Sequence, residues 1–210
     1  MKVLIVDDHA VVRRGLQQIL LDAYDDLVFG EATNGQEALD VLERQSWDVV
    51  ILDISMPGRS GLDVMKEIRR QRPDLPVLVL SIHPEDQFAV RVLRAGASGY
   101  MTKETAPEEL VTAITKVIGG GTYVSPSLAE ILAQDLQRDT GEVSPHMKLS
   151  DREYEVMLMI ASGKAVSKIA EELSLSVKTI STYRSRILEK VHMKSNAELT
   201  RYAIKHGLVE

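Results

Sequence analysis

The sequence predicts an α/β protein in which a five-stranded, parallel, doubly wound sheet is followed by a small all-α helix-turn-helix domain. Over the first 120 residues, short apolar runs alternate five times with segments of helical periodicity. Continuous apolar strands separated by amphipathic helices are typical of a parallel sheet that is covered on both faces. From Lys148 onward the pattern indicates helices alone, with no strand-like run. These observations define an α/β domain and a separate helical domain.

The composition fits two ordinary globular domains. With 210 residues, 44% of them hydrophobic and 27% charged, the chain can form buried cores, which excludes a disordered or fibrous protein. The absence of cysteine excludes disulfides, thiolate metal sites and cysteine nucleophiles. The apolar run after Lys2 has four residues and ends in acids, so it is too short for a signal peptide or a membrane span. We therefore expect a cytoplasmic protein with no membrane association.

Five strands are predicted in the first domain, each followed by apolar residues at spacings of three and four. The predicted strands are Lys2–Val6, Leu27–Ala32, Val49–Asp53, Val77–Ile82 and Gly99–Met101. In the first helical segment, Val12, Leu16, Ile19 and Leu20 share one side. Because right-handed crossovers join such βα units, ligands are expected beyond the carboxyl ends of the strands.

A change in pattern predicts the linker between the domains. Gly119-Gly120-Gly121 ends the fifth βα unit and lacks the lysine of a nucleotide-binding glycine loop. Ser125-Pro126 begins a helix that extends to about Leu136, before a polar stretch. The predicted parts are a first domain at 1–121, a linker with a helix at 122–147 and a second domain at 148–210.

The second domain has the layout of a helix-turn-helix. Ser150 and Glu153 form a capping-box pattern at the start of a helix that ends near Ala161. Next come a short helix at Val166–Leu173, a tight turn at Ser174–Ser176 and a longer helix at Val177–Val191.

The longer helix has two different sides. At about 100° per residue, the apolar side carries Ile180, Tyr183, Ile187 and Val191. The opposite side carries Lys178, Ser181, Thr182, Ser185 and Glu189. A small, polar side suits a helix that lies in the major groove of DNA, whereas an ordinary solvated face is the alternative for this helix taken alone.

Charge is distributed unevenly along the chain. Residues 148–210 contain eleven lysines and arginines against eight acids, whereas residues 1–147 contain fourteen against twenty-three. The acidic first part therefore suits cations, and the basic last part suits phosphates.

Three carboxylates follow strands of the predicted sheet. Asp7 and Asp8 follow the first strand, and Asp53 ends the third. If these strands are neighbours, the carboxylates converge, and either their pKa values rise or a cation neutralises them. An oxygen-only cluster favours Mg²⁺ over zinc. The five histidines show no paired i,i+4 spacing, so none is assigned to a metal.

The same rim offers a hydroxyl and an ammonium group. Ser81 ends the fourth strand, and Thr102-Lys103 follow the fifth. With the acids they would form a receptor for a phosphoryl group, in which one carboxylate attacks phosphorus. Each residue taken alone is an ordinary turn or loop residue, so the hypothesis depends on their combination.

These motifs resemble a known family. The stretches VLIVDDH, VVILDISMPGRSG, LVLSIH and AGASGYMTK resemble the receiver domain of two-component response regulators, and the resemblance covers residues 1–120. The last third of the chain resembles the LuxR/NarL-type helix-turn-helix. The resemblance implies a flavodoxin-like receiver, a sensor histidine kinase as partner, double-stranded DNA as target and transcription regulation without enzymatic activity.

Residue by residue, the resemblance implies a Mg²⁺ site. Asp7 and Asp8 match the acidic pair that holds the ion, together with Asp53 and the backbone carbonyl of Ser55.

The resemblance also implies the phosphorylation site and its switch. Asp53 matches the phosphoacceptor, Lys103 the group that pairs with the phosphoryl oxygens, and Ser81 the hydroxyl that bonds to them. Tyr100 matches the aromatic residue that turns inward on phosphorylation. Glu104 departs from the family pattern, in which proline often follows the lysine.

For the second domain, the resemblance implies that phosphorylation promotes a homodimer that binds paired half-sites. Base-facing positions match Ser181, Thr182 and Ser185, where a lysine is common in the family at the first and last. Arg184 is expected to pack its stem and extend its head to a phosphate. The predicted DNA contacts are Lys178, Thr179, Ser181, Thr182, Arg184, Ser185, Arg186 and Lys190.

Two other function classes are compatible with parts of the pattern. A phosphohydrolase with an aspartate nucleophile would show DxD on the first strand, whereas this chain has adjacent Asp7-Asp8. A binding module whose receiver serves only for dimerisation would not need the full set of acids, hydroxyl and lysine. Turnover of phosphate monoesters would favour the first, and failure of acetyl phosphate with Mg²⁺ to modify the protein would favour the second.

Overall fold

The computed structural model describes residues 1–56, 60–138 and 144–209, and for 135–138 it describes the backbone alone. The described chain forms two compact units, Met1–Ala133 and Gln134–Glu210. Part of the second receiver-like motif, at 57–59, and the middle of the predicted linker, at 139–143, lie outside the described residues.

The first unit contains a five-stranded parallel sheet, which confirms the predicted fold class. Its strands are β1 Lys2–Val6, β2 Val28–Ala32, β3 Val49–Asp53, β4 Val77–Ser81 and β5 Gly99–Thr102. Their order in the sheet is β2-β1-β3-β4-β5. The observed strand ends differ from the predicted ones by at most one residue.

Five helices follow the strands in sequence. They are α1 Ala10–Ala23, α2 Gly35–Arg44, α3 Gly61–Gln71, α4 Glu85–Arg94 and α5 Ala106–Ile118. The central strands β3 and β4 are buried at every position, as expected for a parallel sheet covered on both faces. One core cluster joins Leu16 and Leu20 of α1 and Leu110 and Ile114 of α5 to buried residues of the strands. Burial of these apolar side chains is the main force that stabilises the sheet.

Strand register brings the carboxyl ends of the strands to one rim. Val6 of β1 pairs with Leu52 of β3, so Asp7 and Asp53 occupy the next positions on neighbouring strands. Asp53 in turn pairs with Leu80 of β4, and Ser81 pairs with Thr102 of β5. The acids, Ser81 and the residue after Thr102 therefore follow adjacent strands at the same edge.

The chain after α5 continues along the first unit. The amide of Tyr123 donates to the carbonyl of Ser98 at 2.8 Å, and Tyr123 forms an isolated bridge with Gly99. A side chain at Gly99 would lie 2.9 Å from the Tyr123 Cβ, so this close approach requires glycine. Helix α6 then runs over Pro126–Arg138.

The second unit is helical, as predicted. After a 3₁₀ helix at Pro145–Lys148, its helices are α7 Asp151–Ala161, α8 Val166–Glu172, α9 Val177–Lys190 and α10 Asn196–Lys205. The capping box at Ser150 and Glu153 is present, which confirms the predicted start of α7. Helix α10 was not predicted; its N-cap is Ser195, whose side chain accepts a hydrogen bond from the Glu198 amide, and the available sequence signal was the glutamate three residues after this serine.

None of the helices in the described ranges combines the length and the apolar character that crossing a bilayer demands.

Candidate functional site

Carboxylates converge where β1 and β3 end. Asp7 and Asp53 are each 1% exposed, whereas Asp8 is partly exposed. One ligand atom from each of Asp7, Asp8, His9 and Asp53 lies within 4.8 Å of the others. The adjacency of β1 and β3 that the hypothesis required is thus present, and it places three acids in one crevice.

Lys103 lies between the two buried acids. Its Nζ is 2.7 Å from Oδ2 of Asp53 and 2.7 Å from Oδ2 of Asp7. The Lys103 amide donates to the carbonyl of Ser81 at 2.8 Å, which anchors the residue just beyond β5. Burial alone would lower the pKa of the Lys103 ammonium, but the two carboxylates outweigh burial and raise it. Lys103 is therefore held in its charged form.

Opposing interactions act on the carboxylate of Asp53. Its Oδ1 accepts a hydrogen bond from the Ser55 amide at 2.8 Å, and its Oδ2 accepts one from Lys103. Burial raises the pKa of Asp53 and outweighs the opposing effect of Lys103, while the nearby Asp7 raises the pKa further. The fold therefore disfavours the negative charge at Asp53.

We predict that Asp53→Asn stabilises the first unit at neutral pH. A carboxyl whose pKa is raised in the folded state imposes a stability penalty at high pH, and this penalty disappears as pH falls toward the ordinary value of 3.8. The free energy of unfolding of the variant should therefore be higher than that of the original chain at pH 7, and the difference should be smaller at pH 4. Denaturant titrations can follow the fluorescence of Trp47, the single tryptophan, which is buried in this unit. An advantage that grows toward acid pH would contradict the prediction.

The acidic crevice fits a divalent cation. The Oδ1 atom of Asp8 is buried and has no hydrogen-bond partner among the described residues. The hydroxyl of Ser55 is likewise buried and has no hydrogen-bond partner in the described part of the chain, and the Ser55 backbone is held beside Asp53 by its amide. A buried oxygen without a partner costs free energy unless a cation or water satisfies it. Together with the clustered carboxylates, this donor set is the kind that hard cations bind.

Ser81 and Tyr100 meet at the backbone of His83. The Ser81 hydroxyl, which is fully buried, accepts a hydrogen bond from the His83 amide at 3.0 Å. The Tyr100 hydroxyl donates to the His83 carbonyl at 2.7 Å, and burial raises the pKa of this phenol. The Tyr100 ring is thus already inward in this structure, and its movement on phosphorylation stays a prediction.

His9 and Arg13 belong to the crevice although sequence analysis assigned neither to it. Nδ1 of His9 lies 3.0 Å from Oδ1 of Asp8. Arg13, one helical turn after His9, donates to the backbone carbonyl of Asp7 at 2.8 Å and to Glu31 at 2.6 Å. The adjacency of His9 to Asp8 was the available sequence signal, whereas the Arg13 contact depends on where α1 begins.

A hydrogen-bonded link joins α4 to the start of α6. The hydroxyl of Ser125 donates to the Glu85 carboxylate at 2.7 Å, and that of Ser127 does so at 2.6 Å. Both serines belong to the segment predicted as the linker, and their contacts with Glu85 lie within the first unit. The link therefore connects the element after Ser81 with the chain that leads out of the sheet.

Helix α9 has the two sides that the periodicity predicted. Ile180, Ile187 and Val191 are buried and Tyr183 is half-buried. The five residues predicted on the opposite side are all exposed: Lys178, Ser181, Thr182, Ser185 and Glu189. A surface cavity of about 330 Å³ beside them is lined by Ser176, Lys178, Thr179, Thr182, Tyr183 and Arg186. A polar, concave and cation-bearing surface of this kind can bind phosphate groups.

Two of the predicted DNA contacts have partners within the second unit. Nε of Arg184 donates to the side-chain oxygen of Asn196 at 2.6 Å, which ties α9 to α10. Nζ of Lys190 donates to Glu153 at 2.6 Å, which ties α9 to the capping box of α7. Burial of Glu153 raises its pKa, but Lys190 and the Ser150 backbone outweigh burial and lower it. Lys178 and Arg186, by contrast, are exposed beside the cavity.

Two protein-family models match the chain. The model of the response regulator receiver domain matches residues 3–115. The model of bacterial regulatory proteins of the luxR family matches residues 147–203.

Curated relatives match over nearly the whole length. The response regulator GacA of Pseudomonas aeruginosa is 42% identical over 209 residues, which are 100% of this chain and 98% of GacA. The response regulator UvrY of Escherichia coli is 40% identical over 206 residues, which are 98% of this chain and 94% of UvrY.

Solved structures of another response regulator, RcsB, are similar to this chain over nearly its whole length. RcsB of Salmonella typhimurium is 28% identical with a TM-score of 0.59, covering 98% of each chain. A complex of RcsB with DNA is 27% identical with a TM-score of 0.59, covering 97% of this chain and 98% of RcsB. RcsB of Salmonella enterica bound to a promoter with the phosphomimetic BeF₃⁻ is 28% identical with a TM-score of 0.62, covering 96% of this chain and 98% of that one.

Proposed function

The chain belongs to the two-component response regulators of the LuxR type, and from this premise we propose that phosphorylation of Asp53 controls its binding to DNA. It is a transcription regulator and not an enzyme, which sets aside the phosphohydrolase alternative. The observation that carries the proposal is the position of Asp53, which is buried at the end of β3, is bonded to Lys103 and lies beside the carboxylates that follow β1.

The phosphoryl donor in this proposal is a phosphohistidine of a sensor histidine kinase. A carboxylate oxygen of Asp53 attacks phosphorus, the bond between phosphorus and the histidine nitrogen breaks, and an acyl phosphate forms on Asp53. Lys103 supports this step because its ammonium already lies 2.7 Å from Asp53 and can neutralise the arriving phosphoryl oxygens.

Divalent-cation binding belongs to the same proposal. Asp7, Asp8 and Asp53 would hold Mg²⁺ together with the carbonyl of Ser55, and the assignment is supported by the buried Oδ1 of Asp8, which accepts no hydrogen bond from the described residues. A bound Mg²⁺ supplies charge neutralisation at the phosphoryl group. Asp7 also keeps Lys103 in place, since the two groups are 2.7 Å apart.

The conformational change in this proposal begins with the negative charge that phosphorylation adds at Asp53. Phosphorylation adds roughly −1.5 to −2 charges, which would attract Lys103 and the hydroxyl of Ser81. Both lie at the ends of strands that lead into or flank α4. The Glu85 link to Ser125 and Ser127 provides a route by which movement of α4 reaches the start of α6. We propose that this movement favours a homodimer.

The DNA-binding part of the proposal rests on α9. Its exposed polar side would enter the major groove, with Ser181, Thr182 and Ser185 toward bases and the exposed Lys178 and Arg186 toward phosphates. RcsB, a structural neighbour, is described in complex with DNA and as dimers on DNA. One recognition helix makes few contacts, so two protomers on paired half-sites are expected. We propose a cytoplasmic location, because the protein must reach DNA.

We predict that the basic residues of α9 separate into two classes. Lys178→Ala and Arg186→Ala should each lower the salt dependence of DNA binding by about one counterion, because both residues are exposed beside the cavity. Lys190→Ala should mainly destabilise the second unit, because it removes the cation paired with the buried Glu153. Fluorescence anisotropy of labelled DNA across a salt series measures the first effect, and denaturation measures the second. Lys205→Ala, an exposed change on α10, is the control.

A paired experiment tests the function itself. Mass spectrometry after incubation with acetyl phosphate and Mg²⁺ should find one added phosphoryl group on Asp53. Selection of bound sequences from random double-stranded DNA should then recover a two-fold-related site more strongly from the phosphorylated protein. If the protein remains unmodified, or if phosphorylation leaves the selected DNA unchanged, the proposal fails.

A further inference from the structure

His9 stands at the start of α1 without acting as an ordinary helix cap. It occupies the N-cap position, but its side chain makes no capping hydrogen bond. Its ring is turned to the acids instead, with Nδ1 3.0 Å from Oδ1 of Asp8 and 3.3 Å from Oδ1 of Asp7. The side chain is 65% exposed, so solvent and solutes can reach the ring.

The spacing of these atoms is that of neighbouring metal ligands. Two adjacent donors on an octahedral ion with bonds of about 2.1 Å are about 3.0 Å apart. Nδ1 of His9 and Oδ1 of Asp8 have this separation, yet Oδ1 of Asp8 is buried and has no hydrogen-bond partner among the described residues. The two atoms are also at ion-pair distance, and Nδ1 is at hydrogen-bond distance from Oδ1 of Asp7, so a bound cation would take the place of the proton that a protonated ring supplies to these oxygens.

We infer that Nδ1 of His9 is an additional ligand of the divalent-cation site and that it shifts the site's preference toward ions that accept imidazole nitrogen. Mg²⁺ prefers oxygen ligands, whereas Fe²⁺, Ni²⁺ and ions of similar character bind imidazole well. Asp7, Asp8 and Asp53 supply oxygen ligands, and His9 supplies a nitrogen ligand. A site that binds only Mg²⁺ would not require this nitrogen. This inference rests on the proposed function, because it concerns the cation that assists phosphorylation of Asp53.

Competition between Co²⁺ and Mg²⁺ tests the role of His9. The full chain is titrated with Co²⁺ while its visible absorption is recorded, and the bound Co²⁺ is then displaced with Mg²⁺. In His9→Asn, the ratio of Co²⁺ affinity to Mg²⁺ affinity should fall at least about tenfold, and the absorption of bound Co²⁺ should change. The matched control is His192→Asn, which changes an exposed histidine whose φ of 57° also suits asparagine.

The outcomes separate this inference from the proposed function. An affinity ratio that is the same in the original chain and in His9→Asn overturns the role of His9, and so does an equal fall in His192→Asn. Acetyl phosphate labelling of the original chain in Mg²⁺ reports on the proposed function independently of that ratio. Successful labelling with an unchanged ratio therefore rejects His9 as a ligand and leaves Asp53 as the phosphoacceptor, whereas absent labelling rejects the phosphorylation itself.

Discussion

Asp53→Asn is expected to abolish phosphorylation and, with it, the phosphorylation-dependent gain in DNA affinity. The amide that replaces the carboxylate cannot attack phosphorus, and no other described carboxylate combines the burial of Asp53 with hydrogen bonds from both Lys103 and the Ser55 amide. Coupling between two sites in one protein typically changes affinity by about 5- to 150-fold. Acetyl phosphate should raise the DNA affinity of the original chain within that range and should leave that of the variant unchanged.

Phosphate uptake and DNA affinity must be measured on the same samples. Mass spectrometry gives the phosphorylated fraction, and anisotropy with a selected DNA site gives the dissociation constant. Asp25→Asn removes an exposed carboxylate of the same unit and serves as the matched control. A variant Asp53→Asn that still gains DNA affinity on treatment with acetyl phosphate would show that the signal enters elsewhere.

The fold could be predicted because its determinants are local in sequence. Each central strand is a continuous apolar run, and each helix carries apolar residues at spacings of three and four. These two patterns predict a sheet that is buried on both faces. Residues that follow the strands could be predicted to lie together, because the carboxyl ends of all strands in a parallel sheet are at the same edge. Asp7, Asp53, Ser81 and Lys103 were therefore predictable as neighbours.

The contacts that were not predicted depend on how the folded elements are placed relative to one another. Glu85 and Ser125 are 40 residues apart, and nothing in the periodicity of either segment indicates that they meet. The start of α1 decides that Arg13 reaches the carbonyl of Asp7, and a shift of one residue would turn that side chain away. Lys190 is a basic residue near the end of α9 and was therefore predicted to contact a phosphate. Packing of α9 against α7 instead gives it Glu153 as a partner.

Lys103→Ala should lower the stability of the first unit more than any other single change at the acidic crevice. Asp7 and Asp53 are each 1% exposed and share the Lys103 ammonium at 2.7 Å. Removing one partner of a buried ion pair leaves uncompensated charge and typically costs about 3 kcal/mol. We expect a loss of this order in the free energy of unfolding at pH 7, measured from the fluorescence of Trp47 in denaturant without divalent cations.

The dependence of that loss on pH and Mg²⁺ identifies its electrostatic origin. Without Lys103 the pKa of Asp53, already raised by burial, should rise further, so the penalty is present at high pH and vanishes as pH falls toward 3.8. Mg²⁺ at pH 7 should restore much of the lost stability, because it would bind the folded carboxylates and neutralise them. Lys116→Ala, an exposed change on α5, should show neither effect. If Lys103→Ala is equally destabilised at pH 4 and pH 7 and unresponsive to Mg²⁺, the loss reflects packing of the lysine stem and not the charge it brings to the acids.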